Sequence, residues 1–188
     1  MEIRQKEIDI TRREIEERLA RVGDYVKMDF LQQCLKKKLD FDTRKFVLNT
    51  LSRIYEERKM YLEAGKLMRT AADINTTFEG KMQDFWKSSE LFIRAGRFDE
   101  SDISYGKALA SGNETQKHAL RQKIKQVYRE QAKQSLAKDR RKHAAEAYEK
   151  LLSLDVDSME KREIQQQLLK LYEQLGRVKD YYSMQRGM

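Results

Sequence analysis

Apolar side chains recur three and four residues apart through almost the whole chain, and the chain contains no proline. Apolar residues with that period lie on one face of an α-helix, and that face needs a neighbouring helix to cover it. A β-sandwich or barrel needs many turns, which depend on proline and glycine, yet only eight glycines are present. The sequence therefore predicts an all-α fold of about ten helices joined by short turns.

The composition supports a folded protein rather than a disordered one. Of the 188 residues, 39% are hydrophobic and 37% are charged, so a core can form beneath a charged surface. A single cysteine, Cys34, excludes an intramolecular disulfide framework and a cysteine-based zinc site. No apolar run reaches the ~20 residues of a membrane span, and no apolar leader segment is seen near the start. We expect a cytoplasmic protein without membrane insertion.

Helix ends are predicted where a residue that accepts a left-handed backbone follows an apolar-periodic segment. Glycine accepts that conformation most readily, and aspartate accepts it better than most other residues. Spacing typical of a capping box, with glutamate three residues later, predicts helix starts at Thr76 and Asp157. The predicted helix ends are Gly23, Gly96, Asp139 and Gly176.

Segments around these glycines are similar to one another, and a period of about 34 to 40 residues aligns them as pairs of antiparallel helices. The aligned segments are Gly23-Asp24-Tyr25, Gly96-Arg97-Phe98 and Gly176-Arg177-Val178. With this pattern the chain resembles the tetratricopeptide repeat (TPR) family, whose unit is a helix-turn-helix with preferred residue sizes at fixed positions. The resemblance implies one right-handed solenoid over residues 1–188, with units at about 9–42, 45–78, 82–115, 125–158 and 162–188.

The resemblance rests on alternating small and large residues. Small residues let the two helices of a unit approach closely, and large residues fill the gap to the next unit. Glu16 and Lys59 depart from the pattern, and Gln131 and Ser135 weaken it in the fourth unit, so a related helical solenoid such as the SNAP-like family is also similar. The small positions are Ser52, Ala64, Ala71, Ser88, Ser89, Ser101, Ala108, Ala132, Ser135 and Ala144. The large positions include Leu48, Leu51, Tyr55, Met68, Phe85, Phe92, Tyr105, Tyr128, Tyr148, Leu168 and Tyr172.

No combination of residues in the sequence points to catalysis or to a cofactor. His118 and His143 lie in different predicted units and are expected at the surface. Cys34 shares a helix stripe with Leu31 and Leu35, which favours a core position over a nucleophile. There is no glycine-rich phosphate loop and no metal-ligand spacing. We therefore expect a protein that is not an enzyme and needs no cofactor.

In TPR-like arrays the first helix of each unit lines a concave groove, and such grooves bind extended peptides or partner helices. The resemblance therefore implies a protein-protein interaction scaffold or adaptor. Basic residues recur on the predicted groove with acidic ones interspersed, so we expect a partner segment of acidic or mixed charge. The residues predicted to bind the partner are Arg13, Asn49, Arg53, Trp86, Lys87, Arg94, Arg129, Lys133 and Lys170.

Trp86 is the strongest single candidate in this groove. When Phe85 takes the large core position, the next side chain turns toward the groove, where tryptophan is a frequent binding hot spot. The other register would make Trp86 a core residue but would pack Glu90 where a small residue belongs, which is unfavourable for a carboxylate. Packing of Trp86 against a neighbouring helix remains an open alternative.

Two further interpretations remain open. The net charge of +8 is divided almost evenly between the halves of the chain, yet a basic helical-repeat protein that binds nucleic acid or the ribosome is the alternative function. It predicts an affinity that falls steeply with salt. Near the end of the chain, Tyr181, Tyr182 and Met184 either fold back onto the last unit or form an apolar end that binds a second copy.

Overall fold

The computed structural model describes residues 9–187, and over that range the chain forms ten α-helices and no β-strand. This confirms the all-α prediction. The chain divides into two compact units, residues 1–113 and 114–188. The first unit contains α1 (Arg12–Leu19), α2 (Asp24–Leu35), α3 (Phe41–Glu57), α4 (Tyr61–Ile74), α5 (Phe78–Arg94) and α6 (Phe98–Ser111). The second contains α7 (Glu114–Ala137), α8 (Arg141–Leu152), α9 (Ser158–Gln174) and α10 (Val178–Arg186).

Within each unit, helices that follow one another in the sequence pack side by side. In the first unit this holds from α2 to α6, with α1 packing against α3, and in the second it holds from α7 to α10. A single right-handed solenoid over residues 1–188 stays a prediction, and its residues 1–8 and 188 lie outside the described range. No helix in the described part of the chain is both long enough and apolar enough to cross a membrane.

Four helix-helix turns share one backbone structure, in which a residue with positive φ closes the first helix. Gly96 (φ 71°), Gly176 (φ 66°) and Asp139 (φ 52°) confirm three of the predicted helix ends, and Lys59 (φ 60°) ends α3 in the same way. In each turn the amide of the next residue donates a 2.8 Å hydrogen bond to a carbonyl five residues earlier, as in a Schellman motif. The four donor–acceptor pairs are Met60–Tyr55, Arg97–Phe92, Arg140–Ser135 and Arg177–Tyr172.

Two predicted boundaries are wrong. Gly23 does not end α1 in a left-handed conformation: it has φ −77° and ψ 167°, and it is the extended N-cap of α2. The preceding helix already ends at Leu19, so Gly23 begins a helix instead of closing one. Thr76 is not the N-cap of α5 either. The cap is Thr77, whose hydroxyl accepts a hydrogen bond from the amide of Gly80 at 3.1 Å. Asp157, as predicted, caps α9 through the amides of Met159 and Glu160.

Small residues lie where helices of the first unit approach one another, as predicted. Ser88 and Ser89 of α5 are fully buried, as is Ser101 of α6. The Ser88 hydroxyl donates to the carbonyl of Gly65 in α4 at 2.9 Å, and the hydroxyls of Ser89 and Ser101 are hydrogen-bonded to each other at 2.9 Å. Because each of these buried hydroxyls has a hydrogen-bond partner, none is left unsatisfied, and α4, α5 and α6 can pack closely.

Candidate partner-binding site

No described side chains form a cluster suited to chemistry on a metal or a thiol. Among residues 9–187, no three histidine, cysteine, aspartate or glutamate residues lie close enough together to hold a metal ion. His118 and His143 are exposed or half-exposed at the surface. Cys34 is fully buried in the core of the first unit, and burial raises the pKa of its thiol. A thiol in such surroundings is a packing residue rather than a nucleophile.

Two predicted binding residues of the first unit are occupied by ion pairs. A carboxylate oxygen of Glu56 in α3 accepts hydrogen bonds from Lys87 Nζ at 2.8 Å and from Arg94 Nη1 at 3.3 Å, and both cations belong to α5. Glu90 of α5 also contacts Lys87, at 3.6 Å, and pairs with Arg94. The two cations therefore join α3 to α5, and their charge is balanced within the unit. This ion-pair network leaves little positive charge for a partner.

Arg13, Asn49 and Arg53 are separate features of the first unit. Arg13 is exposed and its Nε lies 3.0 Å from a carboxylate oxygen of Glu17 on the same helix. Arg53 is exposed on α3. Asn49, one turn earlier, is half-buried, and its side-chain oxygen is buried without a hydrogen-bond partner in the described structure.

Trp86 is half-buried rather than freely exposed. Its ring packs edge-on against Tyr105 of α6, with 6.4 Å between the ring centroids, while Phe85 occupies the core as predicted. Trp86 thus packs against a neighbouring helix, and its part in a groove stays a prediction.

The second unit holds a cleft flanked by two of the predicted residues, Arg129 and Lys133. The cleft has a volume of about 260 Å³ and lies between α7 and α9. Tyr148 and Leu151 of α8, with Ile164 of α9, form its floor. Arg129 and Lys133 line the α7 side, and the α9 side is lined by Glu160, Glu163, Gln166 and Gln167.

The cleft continues along α7 past Arg129 and Glu160, where a more open depression of about 590 Å³ begins. Its lining adds Lys125 and its neighbours Gln122 and Gln126 from α7, together with the segment Asp155–Asp157 that precedes α9. Arg129 and Glu160 line both parts. We call the cleft and this depression together the α7–α9 trough.

One ion pair crosses the trough. Arg129 Nε lies 2.8 Å from Glu160 Oε1, so α7 and α9 are joined at this point. Lys133 is exposed on the next turn of α7, and no carboxylate pairs with it among the described side chains. Lys170 is exposed one turn beyond Gln166 and Gln167 and, within the same residues, is also unpaired. Arg129 and Lys133 thus line the same cleft from neighbouring turns of α7, while Lys170 lies outside its lining; that these residues bind a partner stays a prediction.

Tyr148 is buried, as predicted for a large core residue. The residue is 8% exposed and lines the cleft. In the part of the chain that the structure describes, no group is hydrogen-bonded to its hydroxyl. Burial raises the pKa of this hydroxyl, which is protonated at neutral pH in any tyrosine, and the hydroxyl is not among the buried atoms that lack a hydrogen-bond partner. The sequence signals the size of this residue but not the lack of a partner.

Positive charge is concentrated in the second unit, which the comparison of chain halves did not show. Residues 114–188 hold 17 basic and 11 acidic side chains, so their net charge is +6 of the total +8. Helix α7 alone carries six basic and two acidic residues. Only two of these cations, Arg129 and Lys133, are among the binding residues predicted from the sequence. Five of the six basic residues follow one another at intervals of four, namely Lys117, Arg121, Lys125, Arg129 and Lys133.

This spacing is unfavourable for an isolated helix. Like charges four residues apart face each other and destabilise a helix by about 0.2–0.5 kcal/mol per pair. Glu114 pairs with Lys117 and Glu160 pairs with Arg129, but Lys125 and Lys133 have no carboxylate partner among the residues described. A local cost of this kind is typical of a site that acts on a charged partner.

Helix α10 packs against α9, but none of Tyr181, Tyr182 and Met184 is buried, so both alternatives for these residues stay predictions. Arg177, at the start of α10, donates to Glu149 of α8 at 2.7 Å and lies over the ring of Tyr172 at 4.6 Å. Val178 and Tyr182 nevertheless remain 61% and 55% exposed. Binding of a second copy at this end stays a prediction.

Comparison with known proteins does not assign the chain to a family. No family model matches it, and no curated protein matches it. Among the solved structures that match is the crystal structure of BtubC (BKLC) from P. vanneervenii, with 15% sequence identity and a TM-score of 0.39. The match covers 90% of this chain and 73% of that one.

Proposed function

We propose that this chain is a non-catalytic interaction module of TPR-like helix pairs, which holds an acidic segment of a partner protein in the α7–α9 trough. The observation that carries the proposal is the cleft between α7 and α9, where an apolar floor lies between a wall with Arg129 and Lys133 and a wall with Glu160 and Glu163, and where Lys133 has no carboxylate partner among the described residues. A site of this kind can bury an apolar side chain of a peptide and pair with its carboxylates at the rim.

Repeated contacts support the TPR-like part of the proposal. The turns at Lys59 and Gly96 are 37 residues apart, and those at Asp139 and Gly176 are also 37 apart. Two ion pairs join residues that are 34 positions apart, namely Asp24 with Arg58 at 3.1 Å and Asp73 with Lys107 at 3.2 Å. Contacts that recur at a fixed offset are expected when one supersecondary unit is repeated along a chain.

First helices are joined in the same way in both units. Glu56 and Lys87 in the first unit, and Arg129 and Glu160 in the second, are each 31 residues apart. In both units a tyrosine hydroxyl is also hydrogen-bonded to a residue of the preceding helix pair, 23 positions earlier in the sequence. The two hydrogen bonds are Gln32–Tyr55 and Glu149–Tyr172. These equivalent contacts support the same helix-pair geometry in each unit.

The form of the trough favours a peptide over a small molecule or a nucleic acid. The cleft is open to solvent and continues into the depression of about 590 Å³, a shape that suits an extended segment, whereas small-molecule sites enclose most of the ligand surface. The amides of Gln166 and Gln167 can both donate to and accept from a peptide backbone. Single-stranded nucleic acid is bound on stacked, accessible rings, whereas the one aromatic residue lining the trough, Tyr148, is buried.

We expect Lys133→Glu to weaken the binding of acidic peptides by about tenfold, because it removes an attractive charge and adds a repulsive one at the rim of the cleft. The measurement is retention of the protein on an array of short acidic, neutral and basic peptides at low salt. Lys123→Glu is the matched control, since Lys123 is exposed on the same helix but does not line the trough.

The wild-type protein and the control should both retain acidic peptides. Equal retention of acidic peptides by the Lys133→Glu variant would contradict the assignment of the trough. Binding of single-stranded RNA without binding of any peptide would favour the nucleic-acid alternative in place of the proposed function.

A further inference from the structure

We propose that a pocket between α9 and α10 binds a trimethylammonium group, the cation that a trimethylated lysine side chain and choline both carry. The pocket has a volume of about 330 Å³. It shares no lining residue with the α7–α9 trough, so the inference goes beyond the proposed function and does not depend on it. Its lining residues are Tyr172, Glu173, Gly176, Val178, Tyr181 and Tyr182.

Tyrosine rings form much of the pocket wall. The rings of Tyr181 and Tyr182 are perpendicular, with 90° between their planes and 5.6 Å between their centroids, so they form a corner. Tyr172 is the most buried of the three tyrosines at 4% exposed, while Tyr182 is 55% exposed. The face of an aromatic ring carries partial negative charge, and several rings around one cavity are typical of sites for quaternary ammonium groups.

The repeat does not account for two of these tyrosines. The turns before α8 and α10 are equivalent and 37 residues apart, so Tyr181 and Tyr182 correspond to Ala144 and Ala145 of α8. Both alanines are 0% exposed, whereas none of the described residues of α10 is buried. Large aromatic residues therefore stand where the equivalent helix has small buried ones. Such a departure from a local rule, without a gain in packing, is expected at a functional site.

The charge of the occupant follows from the lining. Among the described residues that line the pocket, Glu173 alone is charged. Arg177 lies 4.6 Å from the centroid of the Tyr172 ring, so this ring already contacts one cation. The charge of Arg177 is balanced by Glu149 at 2.7 Å and by Asp180 at 2.6 Å. A carboxylate beside ring faces attracts a further cation and repels an anion.

The lining favours a cation without N–H groups. A lysine ammonium group has three donors and an arginine guanidinium group has five, and each donor that is buried without an acceptor costs free energy. The hydroxyl of Tyr172 already donates to Glu149 at 2.9 Å. Apart from the carboxylate of Glu173 and the phenol oxygens, the described lining residues offer no side-chain acceptor. A trimethylammonium group has no donor to satisfy, and its methyl groups can contact the rings.

The test compares the binding of three short labelled peptides, measured by fluorescence anisotropy. One carries trimethyllysine, the second carries unmodified lysine, and the third carries the neutral analogue in which carbon replaces the quaternary nitrogen. We expect the wild-type protein to bind the trimethyllysine peptide about tenfold more tightly than either of the others. Equal binding of the lysine peptide, or of the neutral analogue, would overturn the proposal.

Variants of the lining locate the site. Tyr182→Ala should weaken binding of the trimethyllysine peptide about tenfold, whereas Tyr182→Phe, which keeps the ring, should bind it like the wild-type protein. Glu173→Gln should weaken the same peptide and leave the affinity for the neutral analogue unchanged. Both positions are exposed, so thermal unfolding should not change. Unchanged affinity in Tyr182→Ala would overturn the proposal.

Two matched controls lie outside the pocket. Tyr25→Ala removes a tyrosine that is 72% exposed in the first unit, and Glu163→Gln neutralises an exposed carboxylate elsewhere on α9. Both should bind the trimethyllysine peptide like the wild-type protein. An equal loss of affinity in these controls would contradict the assignment to this pocket.

Competition separates the two sources of the group. Choline and tetramethylammonium should each displace the trimethyllysine peptide. Tighter binding of the peptide than of choline indicates a lysine side chain, and equal binding indicates a free choline-type cation; both results support the assigned chemistry. Self-association that Tyr182→Ala abolishes, without binding of these cations, would assign the pocket to a second copy and overturn the proposal. Binding of acidic peptides in the trough would be unaffected by that outcome.

Discussion

The triple variant Lys125→Glu, Arg129→Glu, Lys133→Glu is expected to bind an acidic peptide about a thousandfold more weakly than the wild-type protein. Each of these positions lines the α7–α9 trough, and we expect about a tenfold loss of affinity per position. Lys125 and Lys133 have no carboxylate partner among the described residues, while Arg129→Glu leaves Glu160 unpaired, so that two carboxylates repel the peptide there. The three reversals also change the net charge of residues 114–188 from +6 to 0. The attraction that guides an acidic segment to the site therefore disappears as well.

The measurement is a titration of labelled acidic peptide at two salt concentrations. Wild-type affinity should fall as salt rises, because exposed charges are screened, and the residual affinity of the variant should depend little on salt. The control is Lys123→Glu, Lys138→Glu, Lys179→Glu, which changes the net charge equally at exposed positions outside the trough. Equally weakened binding in both triple variants would show that total charge, and not the trough, controls binding.

Phe92→Ala is expected to lower the free energy of unfolding by about 3–5 kcal/mol, the usual range for truncation of a buried phenylalanine. Phe92 is 0% exposed and lies among the helices of the first unit. A Cβ on Gly65 of α4 would lie 3.1 Å from its ring, which shows how closely the two helices approach there. The guanidinium of Arg69 also lies 5.3 Å from the ring centroid.

Chemical denaturation followed by the fluorescence of Trp86, the only tryptophan, measures this effect in the same unit. Phe78→Ala is the matched control, because Phe78 begins the same helix and is 78% exposed. We expect that control to change the free energy of unfolding by less than about 0.5 kcal/mol. Equal effects of the two substitutions would contradict the packing of α5 described above.

Much of the fold could be predicted because its determinants are local. Gly96 and Gly176 follow apolar stripes and adopt positive φ, since glycine has no Cβ to oppose that conformation. Lys59 adopts the same conformation, but the residue type gives no signal of it, and the turn is imposed by the packing of α3 and α4 around it. Gly23 shows the converse, because glycine also serves as an N-cap.

The candidate site was less predictable, because its electrostatics depend on residues from other helices. Lys87 and Arg129 were both predicted to bind the partner. In the structure each forms an ion pair with a carboxylate on another helix, 31 residues away in the sequence. No local pattern indicates which cations remain unpaired, as Lys133 does among the described residues. The apolar period of α8 marks Tyr148 for burial, while the hydrogen bonding of its hydroxyl depends on how three helices meet.

Site-specific photocrosslinking tests the central claim most directly, namely that a partner segment lies in the α7–α9 trough. Gln167→Cys places a thiol on the wall of the cleft, and the only native cysteine, Cys34, is fully buried, so a thiol-reactive crosslinker labels the new site alone. Lys179→Cys is the matched control at an exposed position outside the trough. We predict that an acidic peptide crosslinks to position 167 and not to position 179. Equal crosslinking at both positions, or at 179 alone, would contradict the account.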